Sequence, residues 1–245
     1  MTISPTDSKQ PPKRRNVHTL ALLSPDVPST VVHLALGALV GVALLGDEFD
    51  RRALAVVLVA AATPDLDTFF GFVLVGAHRS LLHTLLLPTL LGGGLVYDTR
   101  LRGGSRLRDR FGGRGVRLGW AALAALAFGG IFPDLFTNGI NAFYPLYDGF
   151  YSINGHLYLS NQRGVVQTFV EFAPEEPRAT TETRHYRTGV DPSPGAEPEN
   201  VERVFPVVSS GTQLMLVLVS AVVVGARLRE NGRVRASDEP PASNH

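Results

Sequence analysis

The chain reads as an all-α polytopic membrane protein, with about five transmembrane helices and a small β-containing extracytoplasmic loop. Three observations predict this. Hydrophobic residues make up 44% of the 245 positions, yet they gather into five nearly charge-free blocks at 30–46, 53–76, 81–97, 118–136 and 207–226. Each block is close to the roughly 20 residues that cross a hydrocarbon core as helix. The charge is segregated by segment, so a net value of +1 conceals strongly basic and acidic stretches. Histidine and aspartate lie inside or beside the apolar blocks, where ionisable groups are costly, rare and usually functional.

Taken in order, residues 1–28 form a polar tail whose apolar stretch at 18–23 is too short for a signal-peptide core, so no cleaved signal is expected. Residues 29–139 are expected to be a four-helix membrane core. Its 100–117 segment carries seven arginines against the single acid Asp109, which assigns it to the cytoplasm. Arg51 and Arg52, in a short turn, and Arg227, Arg229, Arg233 and Arg235 fall on that same side. Residues 140–206 are expected to be an extracytoplasmic loop, since 139–206 hold nine acidic residues and five arginines. Within the loop, alternation over 156–172 around Asn161-Gln162-Arg163-Gly164 predicts a β-hairpin, and the acidic, proline-bearing 173–201 is expected to be mobile. Residues 207–227 would be the fifth transmembrane helix and 228–245 a disordered cytoplasmic tail. The protein is thus expected in the inner or plasma membrane, N-terminus outside and C-terminus cytoplasmic. Only Lys13, Arg14 and Arg15 oppose that orientation.

The composition also excludes chemistry. With no cysteine there are neither disulfides nor thiolate ligands, so any metal must take nitrogen and oxygen donors. The basic segment, read as a cytoplasmic loop, is expected to meet anionic headgroups of the lipid bilayer rather than nucleic acid.

In this orientation His33, His78, His83 and Asp134 gather at the outer end. Asp65 joins them from the second block, about 18 Å from its cytoplasmic start. Thr63-Pro64 should end or kink that helix, leaving 64–67 as irregular backbone lining a cavity. An echo runs through the chain: His33 is followed by Pro64-Asp65-Leu66, and His83 by Pro133-Asp134-Leu135, as in two related hairpins. Singly, these residues have ordinary readings: His33 as an interfacial residue, Asp67 as a helix cap, Asp134 as a helix end beside Pro133, Arg79 reaching to headgroups. Jointly, at one depth on one side, they point to a divalent metal, most simply zinc. His78 and His83 are five apart, about 140° around a helix, and cannot share one face. Ser80 as N-cap would resolve this by starting the third helix between them. Asp67 would ligate or orient a histidine, and Thr137, Asn138 and Asn141 would place polar groups beside Asp134 near a catalytic water. His156 and His185 read as solvated, His18 and His245 as inert.

The order His33, Pro64-Asp65-Leu66-Asp67, His78-Arg79-Ser80-Leu81-Leu82-His83, then Asp134 with Thr137 and Gly139, resembles the YdjM-like family of membrane-bound metal-dependent hydrolases, also labelled LexA-binding inner-membrane-associated hydrolases. The resemblance covers roughly residues 30–145. It implies a distant similarity to zinc-dependent phospholipase C and single-strand nuclease folds, with His33, Asp65, His78, His83 and Asp134 as ligands and Asp67 as ligand or outer support. Arg79 would then hold a substrate phosphate. Ser80 and Thr84 replace a glycine and a serine of the family pattern.

The function expected is hydrolysis of an ester or phosphoester, with a lipid among the candidate substrates, by a metal-activated water, with Asp67 or Asp134 as general base and Arg79 as electrostatic partner. An ion or proton transporter using the buried Asp and His, and a non-catalytic protein with a structural metal, are the alternatives.

Overall fold

The computed structural model describes residues 28–74, 76–169, 178–184, 186, 190 and 204–237. The expected N-terminal tail, most of the acidic 173–201 stretch, His18, His185, His245 and the last eight residues lie outside them. The described chain is mostly helical: α1 Thr30–Leu45, α2 Arg51–Ala62, α3 Leu86–Val96, α4 Arg106–Ala124, α5 Phe132–Leu135 and α6 Gly211–Ser237. Two antiparallel pairs complete it, β1 (Ile140–Asn141) with β2 (Phe150–Tyr151) and β3 (Leu157–Ser160) with β4 (Gly164–Gln167). The second pair is the hairpin expected around residues 161–164.

Among the described residues three helical stretches are long and apolar enough to span a bilayer, Thr30–Glu48, Arg106–Leu135 and Gly211–Val234. A fourth exists if α2 and the 3₁₀ turns Pro64–Phe72, bent by 46° relative to each other, form one broken span. The expected five are reduced at the third block, which yields an 11-residue α3 followed by a 5-residue π turn. What shortens it is local: residues 77–83 are held in turns by contacts described below, so no helix starts before Leu86. The arginine-rich segment also differs from expectation. From Arg106 it is helix, broken once at Gly112 with φ +70°, because Ser105 caps Arg108 N at 3.1 Å and Asp98 accepts from Arg106 N and Leu107 N.

Local chemistry explains the helix ends. The apolar α1 stops at Gly46, whose φ of +51° suits glycine. Asp50 caps α2 by accepting from Ala53 N at 2.9 Å. The bend after α2 falls at Pro64, which has no N–H to continue the helix. Below, Asp47, Asp50 and Glu48 of the α1–α2 turn pair with Arg227, Arg114 and Arg117, binding α6 and α4 to that end.

The bundle closes through small residues. A Cβ at Gly37 would lie 2.5 Å from Ala61 Cβ, one at Gly129 would lie 2.8 Å from the Gly37 backbone, and one at Gly130 would lie 2.6 Å from Ala61 O. Thus α1, α2 and the π-helical stretch Ala125–Ile131 touch nearly backbone to backbone, as membrane helices do at small residues. Around this crossing the core is Ala38, Leu45, Phe49, Ala53, Val57, Ala121 and Ala125. The peripheral α6 runs beside α1 with Ser220 Oγ donating to Ala35 O at 2.9 Å and the Asn231 amide donating to Gly46 O at 3.2 Å.

Gly129→Ala is expected to destabilise the detergent-solubilised protein by roughly 1–3 kcal/mol through overpacking. Gly94→Ala, where a Cβ meets nothing within 4 Å, should leave the thermal midpoint unchanged or raised. Thermal unfolding of the two variants beside the wild type checks this.

Candidate metal centre

The small-residue crossing fixes the level of the polar cluster. His33 stands four residues before Gly37, Asp65 four after Ala61, and Asp134 four after Gly130. One turn of helix is about 5.4 Å, so each side chain emerges just above the contact, on the same end of the bundle. His33, Asp65 and Asp134 accordingly offer ligand atoms that all lie within 4.8 Å of one another, and the group could hold a metal ion. The two Pro-Asp-Leu triplets of the sequence echo therefore meet at one centre.

His83 is the neighbour of this triad. Its Nε2 lies 2.9 Å from Asp134 Oδ2 and 3.7 Å from Asp65 Oδ1, while His33 Nδ1 lies 3.3 Å from Asp65 Oδ1 and His33 Nε2 lies 3.7 Å from Asp134 Oδ2. All four are ion-pair contacts, and the shortest, between His83 and Asp134, is also within hydrogen-bond reach. Both His33 ring nitrogens and Asp65 Oδ2 are buried with no hydrogen-bond partner among the described residues, while Asp134 Oδ1 faces the Arg79 guanidinium. Leaving that many polar atoms unsatisfied is costly. Nitrogen and oxygen atoms that approach without aiming at each other, around a shared centre, are the donor set a divalent cation would satisfy.

Asp67 organises the surrounding turn. Its Oδ2 accepts from His83 Nδ1 at 2.8 Å, from Arg79 N at 3.0 Å and from Leu82 N at 3.4 Å, and its Oδ1 lies 2.8 Å from His78 Nδ1. A carboxylate held by His83 Nδ1 leaves His83 Nε2 with its lone pair toward the triad. The same bonds replace the expected helix start at Ser80. Leu82 N, which a cap at Ser80 would serve, goes to Asp67, Arg79 adopts φ +62°, and Ser80 is fully buried in a turn with no hydrogen bond at Oγ.

Arg79, 2% exposed, puts Nη2 2.7 Å from Asp134 Oδ1, and its Nε and Nη1 make no hydrogen bond. Tyr186 covers its guanidinium, 4.5 Å from the ring centroid.

Of the residues expected at the site, His33, Asp65, His83 and Asp134 converge, and Asp67 and Arg79 bracket them. His78 stands outside, 19% exposed at its side chain, between Asp67 and Thr68 Oγ1 at 2.9 Å. Thr137 and Asn141 bond elsewhere than to the Asp134 carboxylate, and Asn138 contributes its backbone carbonyl nearby. Thr137 Oγ1 donates to Pro133 O, Asn138 O accepts from Tyr186 and Arg184, and Asn141 binds Asp148 and Gly149 N. These groups satisfy irregular backbone near the site and are occupied. His156 is exposed, as expected.

Sequence reasoning missed Tyr186 and the strap that carries it. Thr181 packs so near Gly76 that a Cβ there would meet Thr181 O at 2.4 Å. Asp148 ties this strap down, accepting from Thr181 N at 3.0 Å, from Thr181 Oγ1 at 2.6 Å and from the Asn141 amide at 2.6 Å. Its partial burial would raise the carboxyl pKa, but the bonds from Thr181 and Asn141 outweigh that and hold it below the usual carboxylate value. A depressed folded-state pKa means that the tie is fully present above the ordinary pKa, near 4, and weakens as pH falls through the lower folded value. Asp148→Asn should therefore loosen the strap at neutral pH, with limited trypsin digestion at Arg178 and Arg184 accelerated several-fold over the wild type. The wild type should approach the variant's rate only after exposure to acid, read by an acid-active protease.

A family model described as YdjM inner membrane protein matches residues 29–190. No curated protein and no solved structure matches the chain. The matched stretch spans the converging histidines and aspartates, Arg79, and the strap up to and beyond Tyr186. The chain belongs to the YdjM inner membrane protein family.

Proposed function

We propose that the chain is a membrane-bound, metal-dependent phosphoester hydrolase. The observation that carries this reading is the convergence of buried nitrogen and oxygen atoms from His33, Asp65, His83 and Asp134, those of His33 and Asp65 Oδ2 without a hydrogen bond, beside an arginine with two donors making none. In this reading those four residues are the ligands and zinc is the ion. Asp67 orients His83, and His78 braces Asp67 from outside. The orientation is N-terminus outside and C-terminus cytoplasmic, with the centre toward the outer face of the inner membrane.

A divalent ion bound there would lower the pKa of a water and polarise the scissile group. The protein's own residues supply the rest. Arg79 Nε and Nη1 bind phosphate oxygens, and guanidinium chemistry favours a phosphoester over a neutral ester. Asp65 Oδ2, buried and without a hydrogen bond on the most open carboxylate of the triad, takes the proton from the attacking water. Asp67 is less suited to that step because both its oxygens are occupied. Tyr186 and the strap limit bulk water at Arg79, which strengthens the electrostatics of the pocket.

The test is purified full-length protein assayed for divalent metal and for hydrolysis of a phosphodiester, a phosphomonoester and a carboxylic ester. Wild type should carry metal and cleave a phosphoester, and Asp65→Ala and His83→Ala should lose both. A wild type free of divalent ions overturns the reading, and a metal-loaded protein inert on every substrate overturns the hydrolase assignment. Arg79→Lys should retain metal while kcat/KM falls by roughly 100-fold, the scale on which a single transition-state donor acts.

A further inference from the structure

A cavity of about 950 Å3 opens at the opposite end of the bundle, between the start of α2 and the last turns of α6. Five arginines line it, Arg51, Arg52, Arg114, Arg229 and Arg233, against the single acid Asp50. Arg114 is engaged with Asp50 at 2.6 Å. Arg51, Arg52, Arg229 and Arg233 have no ion-pair partner among the described residues.

The α6 wall is patterned for an elongated ligand. Gly225, Arg229, Gly232 and Arg233 recur at intervals that keep them on one helical face. A Cβ at Gly225 or Gly232 would meet nothing within 4 Å, so the two glycines leave a trough between the arginines. The wall is fixed in place by Asn231, whose buried amide donates to Phe49 O at 2.7 Å. Continuing up the same face, Val222 and Leu218 are 71% and 57% exposed. The arginines stand at the end of the apolar span Gly211–Val234, the depth at which a span meets headgroups.

We propose that this trough binds one anionic phospholipid. Its headgroup phosphate sits among Arg51, Arg52, Arg229 and Arg233, and its acyl chains lie along Val222 and Leu218. The apolar continuation selects a lipid over a free anion, and the four cations without partners select an anionic headgroup over a zwitterionic one. The site is remote from the His/Asp centre and stands whether or not that centre is catalytic.

The experiment uses the full chain in mixed micelles, with thermal midpoint read against added lipid. Phosphatidylglycerol should raise the midpoint saturably, whereas phosphatidylcholine and inorganic phosphate should not. Arg229→Gln with Arg233→Gln should raise the half-saturating phosphatidylglycerol concentration about tenfold or more. Arg106→Gln with Arg108→Gln, which removes equal charge outside the trough, should leave it unchanged. Gly225→Leu fills the trough without changing charge and should weaken the lipid's effect comparably. Equal stabilisation by phosphatidylcholine, saturation by inorganic phosphate, or equal losses in the two double-arginine variants would overturn the proposal.

Discussion

Near-contact of backbones at Gly37, Ala61 and Gly129 sets the spacing on which everything at the upper end depends. A bilayer offers no hydrophobic drive for helix association, so close packing of small residues must bring the helices together. Larger side chains there would hold α1 and α2 apart, and His33, Asp65 and Asp134 would be carried away from each other. The π-helical stretch Ala125–Ile131 belongs to the same arrangement. It brings Gly129 and Gly130 to the crossing and delivers Asp134 one turn above it.

A second constraint is the buried Asp67 carboxylate. It is fully enclosed, so its charge must be met by hydrogen bonds, and these come from two histidines and two backbone N–H groups of the 78–83 turn. The turn is thereby folded around the carboxylate rather than along a helix, which carries His83 inward and Arg79 to Asp134. Above them the strap held by Asp148 adds Tyr186, so the polar centre is bounded by packed helices below and an anchored segment above.

Much of this was legible in residue order. The apolar blocks marked α1, α2, the long α4–α5 stretch and α6, because a charge-free run of adequate length has few other solutions. Pro64 marked the bend, since proline interrupts the ladder wherever it falls within a helix. The convergence of His33, Asp65, His83 and Asp134 was readable because each sits near the same end of its block. The turn at 78–83 was not readable. Ser80 is a good local cap, and only the distant Asp67, reached through tertiary folding, overrides it. Tyr186 was equally hidden, in an acidic stretch with no periodicity, where its contact with Arg79 depends on long-range ties at Asp148 and at the Asn138 carbonyl. The basic segment misled in a different way, as arginine content assigned it to a loop although Ser105 and Asp98 give it a helix start.

The paired anchors of α6 have a mechanical consequence. Ser220 and Asn231 are 11 residues apart, and so are their acceptors Ala35 and Gly46 on α1. Eleven residues make three whole turns and about 20° more. Two parallel helices latched at that interval behave like matched rulers: neither can slide or rotate without breaking both latches together. Inserting one residue between Ser220 and Asn231 would swing the lower latch about 100° out of line, so this stretch of α6 tolerates changes of side chain far better than changes of length.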